Sequence, residues 1–429
     1  MTNREHKKSI FRKHWALWLG FAVVLLLAPL VFSGGLGISV LSQIGIAIIA
    51  CLSYNILLGQ GGMLSFGHAV YSGLGGFVAI HALNAAGAGS LPIPVSLIPV
   101  VGGLAGMAFA VLLGYVTTRK SGTTFSMITL GMGELVFSMS LMLPEFFGGE
   151  GGISSNRVIG KAFLGITFGP AIQVYYLIAA YTFVSVLAMY AFTQTPLGRM
   201  LNAVRDNPER VAFIGYDTQR VRYSAFIIAG FFAGIAGGLG AVNFEIVTAE
   251  VLSAARSGSY LLFTFLGGTS YFFGPIIGAI LMVLAGVLFA EVTKAWLLYL
   301  GLIFMLMVMY APQGVASLLM KNLRLAALGN AKPLLTGYLR LAPGLAAALL
   351  GGSAIIEMLY RLQLGADGSQ VLDFCSAQLH VDQLTSWAGA AAVTLVGWGL
   401  FEFERRRFAA RWKTIRESIE MPLQREDAV

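Results

Sequence analysis

Long apolar runs separated by short polar stretches make up most of this chain. A membrane-spanning helix needs about 17–25 predominantly apolar residues, and most of the runs meet that length. The run at 256–268 is shorter, and we predict that it either crosses the membrane or enters and leaves on one side. The pattern predicts an all-α polytopic membrane protein with spans at 15–32, 36–58, 64–84, 93–116, 122–143, 172–192, 223–243, 256–268, 271–290, 294–311, 343–360 and 386–403.

Composition excludes an ordinary soluble domain. Hydrophobic residues make up 57% of the 429, and charged residues only 11%, whereas soluble domains carry about 25% charged residues. The basic N-terminal segment and the run after it resemble a signal peptide. Because that run is long enough to span and more spans follow at once, we expect a retained first helix.

The net charge of +8 is explained by membrane topology. With the N-terminus inside and every predicted run crossing, 23 of the 28 Lys and Arg residues lie on the cytoplasmic side, the side that positive residues prefer. We therefore expect both termini and the loop 194–222 in the cytoplasm, and no nucleic-acid partner. This orientation depends on 256–268 crossing fully.

A glycine-rich segment, NILLGQGGMLSFGHAVY at 55–71, separates two apolar runs with almost no hydrophilic loop. Non-helical backbone at membrane depth is tolerated only where protein buries it or where it lines a cavity. Its polar residues are predicted either to line a translocation path or to accompany close helix packing around glycine: Asn55, Gln60, Ser65 and His68.

Glu134 lies near the middle of the span 122–143. An ionisable residue there is costly and is a functional hypothesis by default. We predict that it belongs to the translocation path, the alternative being a carboxyl group that is hydrogen-bonded to a neighbouring helix.

The polar loop 194–222 is the longest polar interruption near the middle of the chain. Pro196 can start a helix and Gly215 can end one, so we predict one charged, rigid helix over 198–215. Such a helix between two spans is a suitable surface for a soluble partner.

Motifs for catalysis are absent from the sequence. It has no Gly-x-x-x-x-Gly-Lys-Ser/Thr loop for ATP, no paired His or Cys metal spacing and no Gly-x-Ser-x-Gly turn. We expect a chain that is not an enzyme and itself binds no cofactor or metal.

Four segments make the pattern specific. They are the region 55–76, which contains the glycine-rich segment, ITLGMGE at 128–134, the region 196–240, and the region 257–314 with LGGT, FGPIIG and YAPQG. In this order the chain resembles the permease subunits of bacterial ABC importers for branched-chain amino acids, on the LivM side of that family. The resemblance covers roughly residues 15–320.

The resemblance implies a division of labour in the bacterial inner membrane. Besides lipid, the partners would be a second, LivH-like permease, two cytoplasmic ABC ATPase subunits that use ATP and Mg, and a periplasmic substrate-binding protein. The stretch GRMLNAVRDNPERVAFIG at 198–215 would be the ATPase-coupling loop, carried by Gly198, Arg199, Arg205, Asp206, Asn207, Glu209, Arg210, Ala212 and Gly215.

The sequence departs from the family pattern after residue 320. We predict a permease domain of about ten spans at 1–320 and an extension at 321–429 with two more spans and a basic cytoplasmic tail. Two other functions stay open, namely a self-sufficient ion-coupled secondary transporter or channel with Glu134 as its ion site, and the same ABC architecture importing urea or short amides.

Overall fold

The computed structural model is built almost entirely of α-helices, which confirms the all-α prediction. It describes residues 2–158, 167–293, 295–311, 313–325, 331–364, 371–374, 377–380 and 383–426. The helices are α1 Thr2–Val31, α2 Gly35–Asn55, α3 Ala69–Gly87, α4 Ile98–Thr117, α5 Thr123–Met142, α6 Pro144–Phe147, α7 Ala171–Gln194, α8 Pro196–Asp206, α9 Pro208–Phe213, α10 Thr218–Phe244, α11 Ala254–Gly267, α12 Gly274–Val292, α13 Trp296–Tyr310, α14 Gly314–Leu325, α15 Ala331–Leu364 and α16 Leu384–Glu426.

Nine helices of the described chain are long and apolar enough to cross a membrane, or ten if the bent pair α13 and α14 forms one span. The predicted run 256–268 corresponds to α11, whose 14 residues reach only about 21 Å at 1.5 Å per residue. That is shorter than the roughly 30 Å hydrocarbon core. The sidedness of the loops and of both termini stays a prediction, and after α11 it also depends on whether this helix crosses. In α1, the apolar part is Trp15–Val31.

The core of the first compact unit, Met1–Leu288 with Leu300–Leu318, is built from α2, α3, α4 and α10. Glycines let these helices approach closely. A Cβ added to Gly75 would lie 2.6 Å from the α-carbon of Gly234, and one added to Gly106 would lie 2.8 Å from the same atom. Small residues at such crossings are how membrane helices gain packing contact, so much of the high glycine content serves packing.

The second compact unit contains Phe289–Tyr299 and Leu319–Val429. The two C-terminal spans lie in α15 and α16, which pack antiparallel, with Gly351 against Thr394 and Gly397 against Ala348. Between them, β3 (Val371–Phe374) pairs antiparallel with β4 (Ala377–His380). The predicted domain boundary at residue 320 stays a prediction, and this unit also takes in residues 289–299.

An extracytoplasmic position is predicted for the short sheet formed by β1 (Ile153–Ser154) and β2 (Ile246–Val247). Arg157 fastens the surrounding loop to the end of α10. Its guanidinium donates to the carbonyl oxygens of Asn243 (3.0 Å), Phe168 (2.8 Å) and Gly169 (3.1 Å), and its backbone N–H donates to Glu245 (2.8 Å). Because Arg157 makes all these bonds within the chain, its role is to order this loop.

Candidate functional site

The central loop forms two helices, so the prediction of a single helix over 198–215 is wrong. As expected, α8 starts at Pro196, and the Thr195 hydroxyl caps it by accepting from the Gly198 N–H (3.2 Å). The chain then turns at Asn207, which is extended and caps α9 by accepting from the Arg210 N–H (2.9 Å). Pro208 explains the break, because proline lacks an N–H and disfavours a helical residue before it.

Most of the predicted coupling residues lie on the loop surface. Gly198 is buried, whereas the other eight are exposed: Arg199, Arg205, Asp206, Asn207, Glu209, Arg210, Ala212 and Gly215. Gly215 follows α9 with a φ of 91°, a conformation that glycine adopts without strain. The inner face of α8 is apolar, with Leu201 and Val204 buried, so this helix is seated on the membrane part of the unit.

An apolar patch lies at the end of α9 and was not predicted from the sequence. Phe213 is 90% exposed, Ile214 64% and Tyr216 52%. Exposed large apolar side chains that cluster in this way mark interaction surfaces. The available signal was three large apolar residues within four positions of an otherwise charged loop.

The glycine-rich segment does break the membrane helix. After α2 the backbone forms a π-helix at Ile56–Gln60, turns through Gly62 with a φ of 64°, and becomes helical again only at Ala69. We call residues 55–68 the break. Short π-helical segments occur often at functional sites.

Hydroxyl groups from distant helices hold the break in place. From α5, the Ser126 hydroxyl donates to the Leu64 carbonyl (2.7 Å) and the Thr129 hydroxyl accepts from the Phe66 N–H (3.2 Å). From α11, the Ser257 hydroxyl accepts from the Ala69 N–H (3.0 Å). These bonds satisfy backbone groups that a regular helix would have paired, as a non-helical segment at membrane depth requires.

The predicted path residues do not form one lining. Asn55, Ser65 and His68 are buried inside the unit and Gln60 is half-buried, whereas Glu134 is exposed on α5. Ser65 and His68 both lie beside Tyr54. Its hydroxyl donates to the Ser65 carbonyl (2.9 Å), and its ring centroid is 5.3 Å from that of His68. Their assignment to the path stays a prediction.

Three polar atoms of the break have no hydrogen-bond partner among the described residues. They are Asn55 Oδ1, Ser65 Oγ and His68 Nδ1. Buried polar groups are nearly always paired, so orphaned atoms so close together call for an explanation. Water, a ligand or a different arrangement of the segment would each supply a partner.

Glu134 lies on a separate face of α5. An exposed stripe follows the helix at spacings of three and four residues, formed by Met127, Gly131, Glu134, Ser138 and Leu141. The opposite face packs on the break, and a Cβ added to Gly133 would lie 3.4 Å from the α-carbon of Gly67. Therefore α5 connects the break to a surface that carries a carboxyl group in mid-span.

The central loop contacts the break directly. The Arg205 guanidinium donates from Nη1 to the Gly59 carbonyl, and its Nη2 lies 2.9 Å from Asp206 Oδ1. The π-helix in the membrane and the exposed loop are therefore joined by one side chain.

In the part of the chain that the structure describes, nine membrane-length helices, a helix broken at glycines and an exposed two-helix loop between spans together define a polytopic membrane permease. Residues 37–311 match the family model described as "Branched-chain amino acid transport system / permease component". The chain belongs to this family.

Two curated relatives carry the name "High-affinity branched-chain amino acid transport system permease protein LivM". The protein of Salmonella typhimurium is 29% identical over 344 residues, which are 73% of this chain and 77% of the relative. That of Escherichia coli is 30% identical over 310 residues, which are 65% and 70% of the two chains. No solved structure matches the chain.

Proposed function

We propose that this chain is a pore-forming permease subunit of an ATP-driven importer in the bacterial inner membrane. Its substrates would be branched-chain or related amino acids, as the names of its relatives suggest. The observation that carries the proposal is the central loop, which presents charged residues and a bare apolar patch between two spans. A transporter that needs no soluble partner has no use for such a surface.

The ATPase would dock on α8, α9 and the apolar patch Phe213, Ile214 and Tyr216. Burial of the patch in a groove of the ATPase would supply apolar contact area, and the surrounding charges would set specificity. ATP and Mg would be bound and used by that subunit. The corner at Asn207 gives the surface two faces, so a partner can hold it firmly from more than one direction.

The second permease would cover the exposed stripe of α5. A charged residue facing lipid at mid-span costs about 2.5–3.5 kcal/mol on insertion scales, and partner contact or a water-filled path would relieve this cost for Glu134. Gly131 and Ser138 on the same stripe are the small residues that helix contacts in membranes favour. The translocation path would run along this interface. A periplasmic binding protein would deliver the substrate, with both termini of the chain in the cytoplasm.

Docking can be tested by co-purification of the complex. Replacing Phe213 and Ile214 together by Ser should reduce the amount of ATPase that stays bound and reduce import with it. A matched control replaces Phe244 and Ile246, which are exposed to 48% and 45% at the opposite end of α10, by Ser. It should leave ATPase association unchanged. If the loop variant binds ATPase and imports like the wild type, the docking surface is wrong.

A self-sufficient ion-coupled transporter is the competing function, because Glu134 is an exposed mid-span carboxyl group. Urea or short amides are the competing substrates. Vesicles that contain the reconstituted complex with ATP inside separate these functions. Leucine uptake that needs ATP supports the proposal, uptake driven by an ion gradient alone supports the secondary transporter, and urea uptake without leucine uptake changes the substrate.

A further inference from the structure

The Gly59 carbonyl receives its hydrogen bond from an unusual donor. In a regular helix the N–H of Met63 would donate to it, four residues on. Here that N–H donates to the Leu57 carbonyl instead (2.9 Å), because the helix ends in a left-handed turn at Gly62 (φ 64°), where the N–H groups bond back to the last helical turn. The Arg205 guanidinium, from the central loop, donates to Gly59 in its place.

Glycines in the break make room for α8. A Cβ on Gly62 would lie 2.7 Å from Cγ of Arg205, and one on Gly61 would lie 3.2 Å from Cδ1 of Leu201. The Arg205 side chain therefore runs across the bare Gly62 backbone before it reaches Gly59. Packing and hydrogen bonding both tie α8 to the break.

Arg205 also reaches the loop surface. Its ion pair with Asp206 is solvent-accessible, with side chains 39% and 68% exposed. A partner bound at α8 and α9 would touch this pair while the far end of the same guanidinium holds Gly59. A hydrogen bond with an ionised donor is strong and directional, so a displacement of α8 acts on the Gly59 carbonyl.

The break is the part of this unit that is suited to rearrange when α8 is displaced. Its backbone is non-helical over residues 62–67, and it contains the orphaned atoms of Asn55, Ser65 and His68. An alternative arrangement of the segment could pair these atoms, whereas a fully paired helix would have nothing to gain. Because α5 packs on the break by one face and carries Glu134 on another, such a rearrangement reaches the proposed path.

We infer that Arg205 is the positioning residue that transmits ATPase movement from the central loop to the break at 55–68. The inference rests on the proposed function. Arg205 would act in transmission inside the permease, whereas the sequence alone predicted it as one of the residues of the ATPase-coupling loop.

The test uses the complete complex of both permeases, ATPase and binding protein in vesicles. Arg205→Met keeps the length that packs on Gly62 and removes the donors. Import per ATP hydrolysed, measured on complexes that retain the ATPase, should fall by about tenfold, the factor expected for one lost hydrogen bond to a charged donor. Arg205→Lys, which keeps a charged donor, should recover part of the import.

Arg220→Met is the matched control. Arg220 is in the same loop, has a side chain that is 87% exposed and pairs with Asp217 (3.2 Å), but it does not reach the break. It should import normally. Gly62→Ala should also lower import per ATP, but it strains the left-handed backbone at Gly62 (φ 64°) as well as displacing Arg205, so it counts only beside the Arg205 variants.

The outcomes separate the inference from the proposed function. If Arg205→Met imports normally, or if it loses import only in proportion to lost ATPase association, the inference is overturned. Equal loss in Arg220→Met also overturns it. If the wild-type chain binds no ATPase, the proposed function itself fails. A misfolded Arg205→Met protein, detected by aggregation in detergent, leaves the decision to Arg205→Lys, which should import less per ATP hydrolysed than the wild type.

Discussion

The Ser53 hydroxyl lies 2.6 Å from Nε2 of His68, so a side chain of α2 is joined to the last residue of the break. Both residues are fully buried. The bond closes the ends of the non-helical segment on each other, next to the hydroxyl contacts from α5 and α11. A break held in this way can keep its shape without a continuous helix.

Loss of this bond should destabilise the isolated permease. In Ser53→Ala the His68 ring keeps its buried nitrogen without a partner, which costs about 1–3 kcal/mol. We expect a lower unfolding temperature in detergent. Ser259→Ala is the control, because that exposed hydroxyl bonds only the Ala255 carbonyl of its own helix (3.0 Å). Equal unfolding temperatures for the two variants would show that the Ser53–His68 bond contributes nothing to stability.

Replacing Glu134 by Leu should have opposite effects on membrane insertion of the isolated chain and on the activity of the complex. Glu134→Leu removes a mid-span carboxyl group from an exposed face, so the chain alone should insert as well as or better than the wild type. Association with the second permease, or import, should fall. The measurement is membrane yield of the single chain beside co-purification and uptake of the complex. Unchanged association and uptake would mean that the α5 stripe faces lipid only.

Glu357 in α15 should stabilise the second unit. Its Oε1 accepts from the hydroxyl of Thr293, and the Tyr299 hydroxyl lies 3.4 Å from the same atom. Glu357→Ala leaves both hydroxyls without this acceptor and should lower the free energy of unfolding by about 1–3 kcal/mol. Glu357→Gln keeps an acceptor oxygen, so its free energy of unfolding should fall by less. Protease resistance of the α15–α16 pair in detergent reports the effect. Equal loss in the two variants would argue against the hydrogen bonds.

The sequence predicted the helices well because a span is a local property. A long apolar run needs no knowledge of its neighbours, and the spans at 36–58, 122–143 and 172–192 correspond to α2, α5 and α7. Helix ends set by a single residue were also accessible, as Pro196 and Gly215 illustrate. The corner at Asn207 was missed although Pro208 gave the signal, because the charges suggested one continuous surface.

What the sequence did not reveal depends on contacts between distant segments. Ser126, Thr129 and Ser257 are ordinary small polar residues in their own helices, and nothing local shows that they bind the break. Arg205 looked like any other loop cation, whereas its partner Gly59 lies 146 positions earlier. Apolar runs place helices in a membrane but do not say which faces meet, so the burial of His68 and the exposure of Glu134 needed the fold.

The central claim is that a separate ATPase, docked on the central loop, drives import through this chain. The most direct measurement is leucine uptake into vesicles that contain the complete complex, with ATP inside and the proton gradient collapsed. We expect uptake that continues under these conditions, stops without ATP, and falls when Phe213 and Ile214 are both changed to Ser. Uptake that follows the ion gradient and is indifferent to ATP would contradict it.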